Sequence, residues 1–496
     1  MKTMEYISTR GGARPQDCAG AILSGIAPDG GLFVPHPLPK NAMNPVDYLG
    51  KNYRKTALAV MSLYMPDYTE AELKQYINAA YKHSFDTTLV APLVKQGDYY
   101  FLELFHGPTL AFKDLALTIL PHFLKKAMEK KGIDKDVVVL TATSGDTGKA
   151  ALEGFADVEG TKIIVFFPEH GVSLIQKRQM VTQKGKNTYV LGIEGNFDDA
   201  QKGVKEIFTD VDLLNKMASG KYVFSSANSI NVGRLIPQIV YYVFAYMKLG
   251  ELEGTVGNEP VNFVVPTGNF GNILAAYYAK NLGVPIKKLI CSSNENRVLF
   301  DFFSTGVYDA NRDFVMTMSP SMDILISSNL ERLLYAISGE NAETMRQLMN
   351  SLARKRKFEI SSDMKAKLTD FHGGFATEGE TSSSIRRVFE STGYLMDPHT
   401  AVGHAVYNKY VAETGDSTKT VIVSTASPYK FAASVMKSLG LQCEGDDFQM
   451  VKELNRVTGV NIPPQIERLE EETIRHTTVC RKEEMKHHVM EILGMV

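Results

Sequence analysis

Val261-Asn-Phe-Val-Val-Pro-Thr-Gly-Asn-Phe-Gly-Asn272 runs from a largely apolar, β-branched stretch into a turn that carries two glycines. The stretch 261–266 reads as a strand buried on both faces, the kind found in parallel sheets. The patterned run Ile273–Leu282 that follows reads as a helix. Strand, glycine turn and helix in succession make up the right-handed βαβ unit of an α/β protein. Working outward, similar strands are expected at Val137–Thr141, Lys162–Phe167, Lys287–Cys291 and Thr420–Ser424, with helices at Gly148–Phe155 and Pro428–Leu439.

In the 265–272 turn the backbone can approach an anion closely, and the helix N-terminus adds a favourable dipole. Only Gly268 and Gly271 are present, so the spacing is not the GxGxxG of a dinucleotide site. A plain strand-to-helix connection with Asn272 near the cap fits the same residues.

A lysine in an unusual setting gives the turn its chemical interest. In Glu103-Leu-Phe-His-Gly-Pro-Thr-Leu-Ala-Phe-Lys-Asp-Leu115, Lys113 lies inside an otherwise apolar run. Desolvation disfavours an ammonium ion and lowers its pKa. A partly neutral lysine is a nucleophile for aldehydes, hence a candidate Schiff-base residue. A helix-flanking lysine that snorkels to water is the alternative.

Three further groups belong to the same picture. Thr141-Ala-Thr-Ser-Gly-Asp-Thr-Gly-Lys149 has the look of a P-loop, but Thr143 and Ala150 stand where GxxxxGK[ST] requires a glycine and a hydroxyl, which excludes Walker A. Ser144, Gly145, Thr147 and Gly148 still offer amides and hydroxyls at a helix start, suited to a carboxylate or phosphate; helix capping by Ser144 or Asp146 is the alternative. Val423-Ser-Thr-Ala-Ser-Pro-Tyr-Lys-Phe431 places hydroxyls at a strand end, where one could face a heterocyclic nitrogen or cap a helix ahead of Pro428. Asn231 and Arg234, three apart, could share a helix face, with the Arg fork on a phosphate or in a surface ion pair. His399 and His404 lack the carboxylate or cysteine spacing of a metal site, so no metal is expected. A buried lysine, a phosphate cup and a strand-end hydroxyl together match the needs of pyridoxal phosphate.

Composition narrows the classes. The 496 residues exceed what one core organises, so two or more units are expected. Basic residues number 54 against 56 acidic, a net charge of -2, which leaves no excess for a nucleic acid or an anionic membrane. Cys18, Cys291, Cys443 and Cys480 form no CxxC pair, which argues for a reducing compartment. With no apolar leader, and with Leu235–Leu249 too short to span a bilayer, a cytoplasmic protein is expected. Residues Tyr53–Tyr81 read as helical, and between about 296 and 395 the strand rhythm lapses into helix-rich sequence. The basic run Arg354–Lys357 within it reads as a solvated helix face.

The chain resembles the threonine synthase family of fold-type II pyridoxal-phosphate enzymes over nearly its whole length. The motifs that carry the resemblance are Tyr6–Gly11, Asp29–Pro35, His106–Asp114, Thr143–Gly148, Ala227–Asn231, Pro266–Asn272, Asp397–Ala401 and Ser424–Phe431. It implies pyridoxal 5'-phosphate bound covalently by Lys113, with Gly268, Asn269, Phe270, Gly271 and Asn272 around its phosphate. Thr425 would face the pyridine nitrogen. Asp146 stands where many relatives carry an asparagine near the ring hydroxyl, and Ser427 stands where members often show a histidine. Ser144, Gly145, Thr147, Gly148, Asn231 and Arg234 would then hold the substrate, O-phospho-L-homoserine, which water converts to L-threonine and phosphate. Another fold-type II lyase, either a deaminating phospholyase or a serine/threonine dehydratase, is the alternative.

The fold this implies has two parallel-sheet α/β domains. An N-terminal segment, 1–98, would pack on the main body. A small mobile domain, 99–215, would carry Lys113 and the Ser-Gly-Asp-Thr-Gly turn. The large cofactor-binding domain, 216–440, would hold the helix-rich insertion 296–395, and 441–496 would be a helical extension. Either a monomer or a homodimer is expected.

Overall fold

Two parallel sheets carry the architecture, and the quoted strand lies inside the larger one. In this computed structural model, which describes residues 4–143, 145–170, 172–254 and 259–496 (backbone alone at 198 and 218), the larger sheet has six strands. Their order is Phe371–Phe375, Ile286–Ser293, Val261–Pro266, Thr420–Ser424, Tyr99–Glu103 and Leu93–Gln96. All neighbours run parallel except the last pair, an antiparallel hairpin. The smaller sheet is parallel throughout, in the order Val479–Arg481, Thr188–Glu194, Thr161–Pro168, Asp136–Ala142 and Tyr222–Ser225. The apolar runs form strands because both faces are covered by helices: Val261, Phe263, Val264 and Val265 are all buried.

The helix Val232–Glu253 is buried around its whole circumference from Val232 to Met247. That is the mark of a core helix, with solvent on no side. Asn231 caps its start by accepting from Gly233 N, and Gly254, at φ 64°, ends it in the left-handed region. Among the described residues no helix is long and apolar enough to cross a membrane.

The structure departs from the sequence reading in four places. Residues 53–81 form two helices, Tyr53–Tyr64 and Glu70–Tyr81. Pro66 disfavours helical geometry at Met65, and the Thr69–Glu72 capping box starts a new helix. The helix-rich stretch 296–395 is more than an insertion, because Phe371-His-Gly-Gly-Phe375 forms the edge strand of the larger sheet. Its signature is hidden by two glycines, required because a Cβ at Gly373 would come 2.9 Å from Phe303 Cβ, and one at Gly374 2.4 Å from Val406. The sheets also cross the expected boundaries at 99 and 215: Leu93–Gln96 and Tyr99–Glu103 both belong to the larger sheet, and Tyr222–Ser225 to the smaller. Finally, the C-terminal extension is not wholly helical, since Val479–Arg481 closes one edge of the smaller sheet.

Between the sheets, the segment 104–112 is laced to the end of the Thr420–Ser424 strand. Leu104 N donates to Ser424 O at 2.9 Å, Phe112 N to Thr425 O at 2.9 Å, and Ser427 N to Leu110 O at 3.1 Å. This lacing brings Lys113 to the carboxyl edge of the larger sheet, where ligands of open α/β sheets bind. Leu110, three residues earlier, is held at φ 59°, in a region unusual for a branched side chain.

Helix Asp146–Phe155 packs against the short helix Asp114–Leu117 by direct backbone approach at Gly154. A Cβ there would lie 2.1 Å from Leu117 O. Gly154→Ala is therefore expected to lower unfolding free energy by about 1–3 kcal/mol, the usual cost of overpacking, read from urea denaturation.

Candidate active site

Lys113 is buried, and it shares one carboxylate with a second lysine. Its Nζ lies 3.5 Å from Asp146 Oδ2 and 3.3 Å from Ser321 Oγ, and Ser321 Oγ is itself 3.3 Å from Asp146 Oδ2. On the other side of the carboxylate, Lys430 Nζ is 2.6 Å from Asp146 Oδ1 and donates to Thr109 O at 2.9 Å. Gln176 Nε2 donates to the same Oδ1 at 3.0 Å. Burial lowers the pKa of Lys113; Asp146 opposes that shift, while the charges of Lys430 and Arg234 add to it. Burial alone would raise Asp146, but Lys430 and Lys113 outweigh it and hold the carboxyl well below the usual range.

Ser321 reaches the centre from a segment with no motif in the sequence. It is held from behind: Ser321 N donates to His399 Nε2 at 3.1 Å. That nitrogen is thus the acceptor, and the ring proton sits on Nδ1, which donates to Asp397 Oδ1 at 2.7 Å. Asp397 also caps its helix through His399 N, and Thr400 Oγ1, another of its partners, meets Ser424 Oγ at 3.0 Å. Thr425 N points at Thr400 Oγ1, 3.4 Å away. Thr425 is thereby fixed at the strand end, buried next to the Lys113 segment.

The glycine turn forms the other end of the site. Phe270 sits in the left-handed region at φ 63° and starts the helix Gly271–Leu282, which no side chain among the described residues caps. An uncapped helix start with a positive end is suited to an anion. Asn272 Oδ1 accepts from both Tyr241 OH and Tyr242 OH at 2.6 Å, which fixes the amide and leaves its buried Nδ2 with no hydrogen-bond partner among the described residues. Along one face of the long helix, Gln238 Nε2 donates to Arg234 O and Gln238 Oε1 lies 3.1 Å from Tyr241 OH, the hydroxyl that meets this asparagine. Arg234 donates through Nη1 to Ala227 O at 2.9 Å, but its buried Nε has no partner among the described residues, and burial pushes its pKa down to about 10. Orphan buried donors are rare in a folded chain. The Asn272 donor lies on a turn built for an anion.

The sequence-derived residues divide accordingly. Lys113 and Asp146 meet directly, and the charge of Arg234 adds to the lowering of the Lys113 pKa. Asn231 is engaged within the fold: its Oδ1 caps the long helix, and its Nδ2 donates to Ile22 O and Ser226 O. Gly145 N and Gly148 N are likewise engaged, both by Thr143 Oγ1, at 3.0 and 2.9 Å, so those two amides are not free donors. Gly145, at φ 136°, leaves no room for a Cβ beside Gln176. Thr147 is half-buried in the first turn of its helix, and Ser144 lies outside the described residues. Lys430, Ser321, His399 and Gln176 were missed. Lys430 lay inside a quoted motif and His399 was weighed only as a metal ligand; Ser321 and Gln176 carried no sequence signal.

A buried amine of lowered pKa, an uncapped helix start and unpartnered donors fit an aldehyde that carries a phosphate. Three family models match the chain: "Threonine synthase N terminus" over residues 5–81, "Pyridoxal-phosphate dependent enzyme" over 90–426, and "Threonine synthase, C-terminal" over 400–489. Human threonine synthase-like 1 is 40% identical over 461 residues, 88% of this chain and 61% of that protein. The chain thus spans about three fifths of the length of that relative. Threonine synthase of Pseudomonas aeruginosa is 38% identical over 88% of this chain and 90% of its own. Among solved structures, pyridoxal-phosphate-bound threonine synthase from Brucella melitensis superposes with a TM-score of 0.87 at 36% identity, covering 99% of both chains.

Two outcomes are expected. Lys430→Met leaves Asp146 short of one buried counter-charge and should cost about 3–5 kcal/mol of stability, while Lys430→Met/Asp146→Asn should cost less than the sum of the single changes. His106 bridges Asp86 at 2.6 Å and Glu103 at 3.0 Å; burial opposes its protonation, but the two carboxylates outweigh it and raise its pKa to about 9. Its contribution is then full below the free value near 6.5 and lost as pH rises through about 9. The stability gap between the native chain and His106→Gln should therefore shrink between those two pH values.

Proposed function

The chain belongs to the threonine synthase family of pyridoxal-phosphate-dependent enzymes, and from that premise we propose that it converts O-phospho-L-homoserine and water to L-threonine and phosphate. The observation that carries this reading is the buried Lys113 amine, poised between Asp146 and Ser321 at the sheet edge that also holds the uncapped turn. Bound pyridoxal phosphate supplies an electron sink that acidifies the substrate's Cα–H. Gly268, Asn269, Phe270, Gly271 and Asn272 hold its phosphate, using backbone amides, the helix dipole and the free Asn272 Nδ2. Thr425 presents a hydroxyl to the ring nitrogen, and a neutral hydroxyl does not force that nitrogen to carry a proton.

Lys113 Nζ moves protons at the substrate's Cα and Cβ. Its lowered pKa supports this role, because a base works best when its pKa approaches the working pH. Asp146 sits within reach of that Nζ and steadies whichever cation is present. Arg234 offers its unpartnered Nε to an anionic group of the substrate. Gly145, Thr147 and Gly148, in the turn before and within the first turn of the Asp146 helix, are assigned to this space, and closure of the smaller sheet over the substrate would exclude water until the addition at Cβ. The four free cysteines support a reducing compartment such as the cytoplasm.

Product analysis with O-phospho-L-homoserine is the deciding experiment. Threonine and phosphate in equal amounts are expected, whereas 2-oxobutyrate would assign a deaminating phospholyase instead. Lys113→Ala should abolish turnover together with the violet-region absorbance of the bound cofactor. Arg234→Ala should raise KM for the phosphorylated substrate, and an unchanged KM would remove Arg234 from the site.

A further inference from the structure

Behind the glycine turn lies a clamp that the chemistry above does not use. Ser327 Oγ donates to Gly268 O at 2.7 Å, and Asn269 O accepts from both Asn329 N at 3.1 Å and Asn329 Nδ2 at 3.0 Å. In a trans peptide the carbonyl and the following N–H point in opposite directions. Pinning the carbonyls of Gly268 and Asn269 toward the 327–329 segment therefore aims the amides of Asn269 and Phe270 away from it.

Asn329 is itself held by Arg332, a guanidinium with almost no exposed surface. Arg332 Nη1 donates to Asn329 Oδ1 at 2.5 Å, Nη2 to Ile230 O at 2.5 Å and Nε to Phe33 O at 2.9 Å. Three acceptors in three directions suit a planar fork and not an ammonium group. All three are neutral oxygens. A buried cation with neutral acceptors carries a desolvation penalty, which the charge of the adjacent Glu331 offsets in part. Phe33 belongs to the N-terminal strand pair Glu5–Ser8 and Phe33–His36, and the neighbouring Glu331 ties the same segment down. Glu331 Oε1 accepts from Thr9 Oγ1 at 2.6 Å and Arg10 Nε at 3.0 Å, and Oε2 accepts from Arg10 Nη2 at 2.9 Å.

We propose that Arg332 is a positioning residue for the cofactor phosphate, and that through Arg332 and Glu331 the N-terminal strand pair sets how tightly the 268–272 turn holds that phosphate. This rests on the reading that the turn is the phosphate site. A merely structural staple would weaken every ligand alike; a phosphate clamp weakens only phosphorylated ones.

The test titrates the cofactor-stripped full chain with pyridoxal phosphate and with unphosphorylated pyridoxal, following absorbance. Arg332→Lys should lose about tenfold or more in affinity for pyridoxal phosphate, and less than about twofold for pyridoxal. It should also shift the phosphorus resonance of the bound phosphate. Arg10→Met, a change at a partly exposed side chain, should move the ratio the same way by a smaller factor, and it decides the matter if Arg332→Lys does not fold. An unchanged ratio, or equal losses for both ligands, overturns the proposal. Gly268→Ala separates the two readings: if it alone abolishes the preference for the phosphorylated ligand, the turn is the phosphate site and the clamp proposal falls. If neither variant changes the preference, the assignment of the turn falls as well.

Discussion

Asp146 stands between two buried ammonium groups, and the rest of the site is arranged around that shared charge. Lys430 holds one oxygen at 2.6 Å and Lys113 approaches the other at 3.5 Å, so the two lysines are bound unequally. The tight pair largely neutralises the carboxylate and leaves Lys113 only loosely held, with its burial only partly compensated. An amine in that condition gives up its proton more readily than a free lysine. Either lysine alone with Asp146 would form an ordinary buried pair. The second cation, brought in from the end of the Thr420–Ser424 strand, is what keeps the first reactive.

The anion end of the site is built by different means. No charged side chain caps the helix at Gly271, and the turn presents backbone donors whose direction is fixed from behind by Ser327 and Asn329. Preorganised donors of this kind need no rearrangement when a ligand arrives. The long buried helix serves both ends: the charge of Arg234 near its start helps lower the Lys113 pKa, and Tyr241 and Tyr242 hold Asn272 at the turn. A buried core helix thus braces the anion cup from one side.

The N-terminal strand pair belongs to this construction and is not an appendage. Its Thr9 and Arg10 meet Glu331, and its Phe33 carbonyl meets Arg332, so a segment far away in sequence buttresses the turn. Such contacts are invisible in one dimension, because each acceptor is a backbone oxygen or a carboxylate with no spacing rule to betray it.

Local pattern was enough for the α/β class, for the strands at 261–266 and 420–424, for the glycine turn and for Lys113 as the odd cation in an apolar run. In these cases periodicity, turn chemistry and the cost of burying charge act within a few residues. The edge strand at 371–375 escaped, because its glycines answer to helices packed on both faces and not to strand propensity. Asn231 looked like a ligand residue and is a cap; Lys430 and Ser321 looked ordinary and stand at the centre. What a polar side chain does depends on which acceptors the folded chain brings within about 3 Å of it, a matter of three-dimensional placement. Sequence determined which chemistry the chain could hold, and tertiary packing decided which groups remain free to perform it.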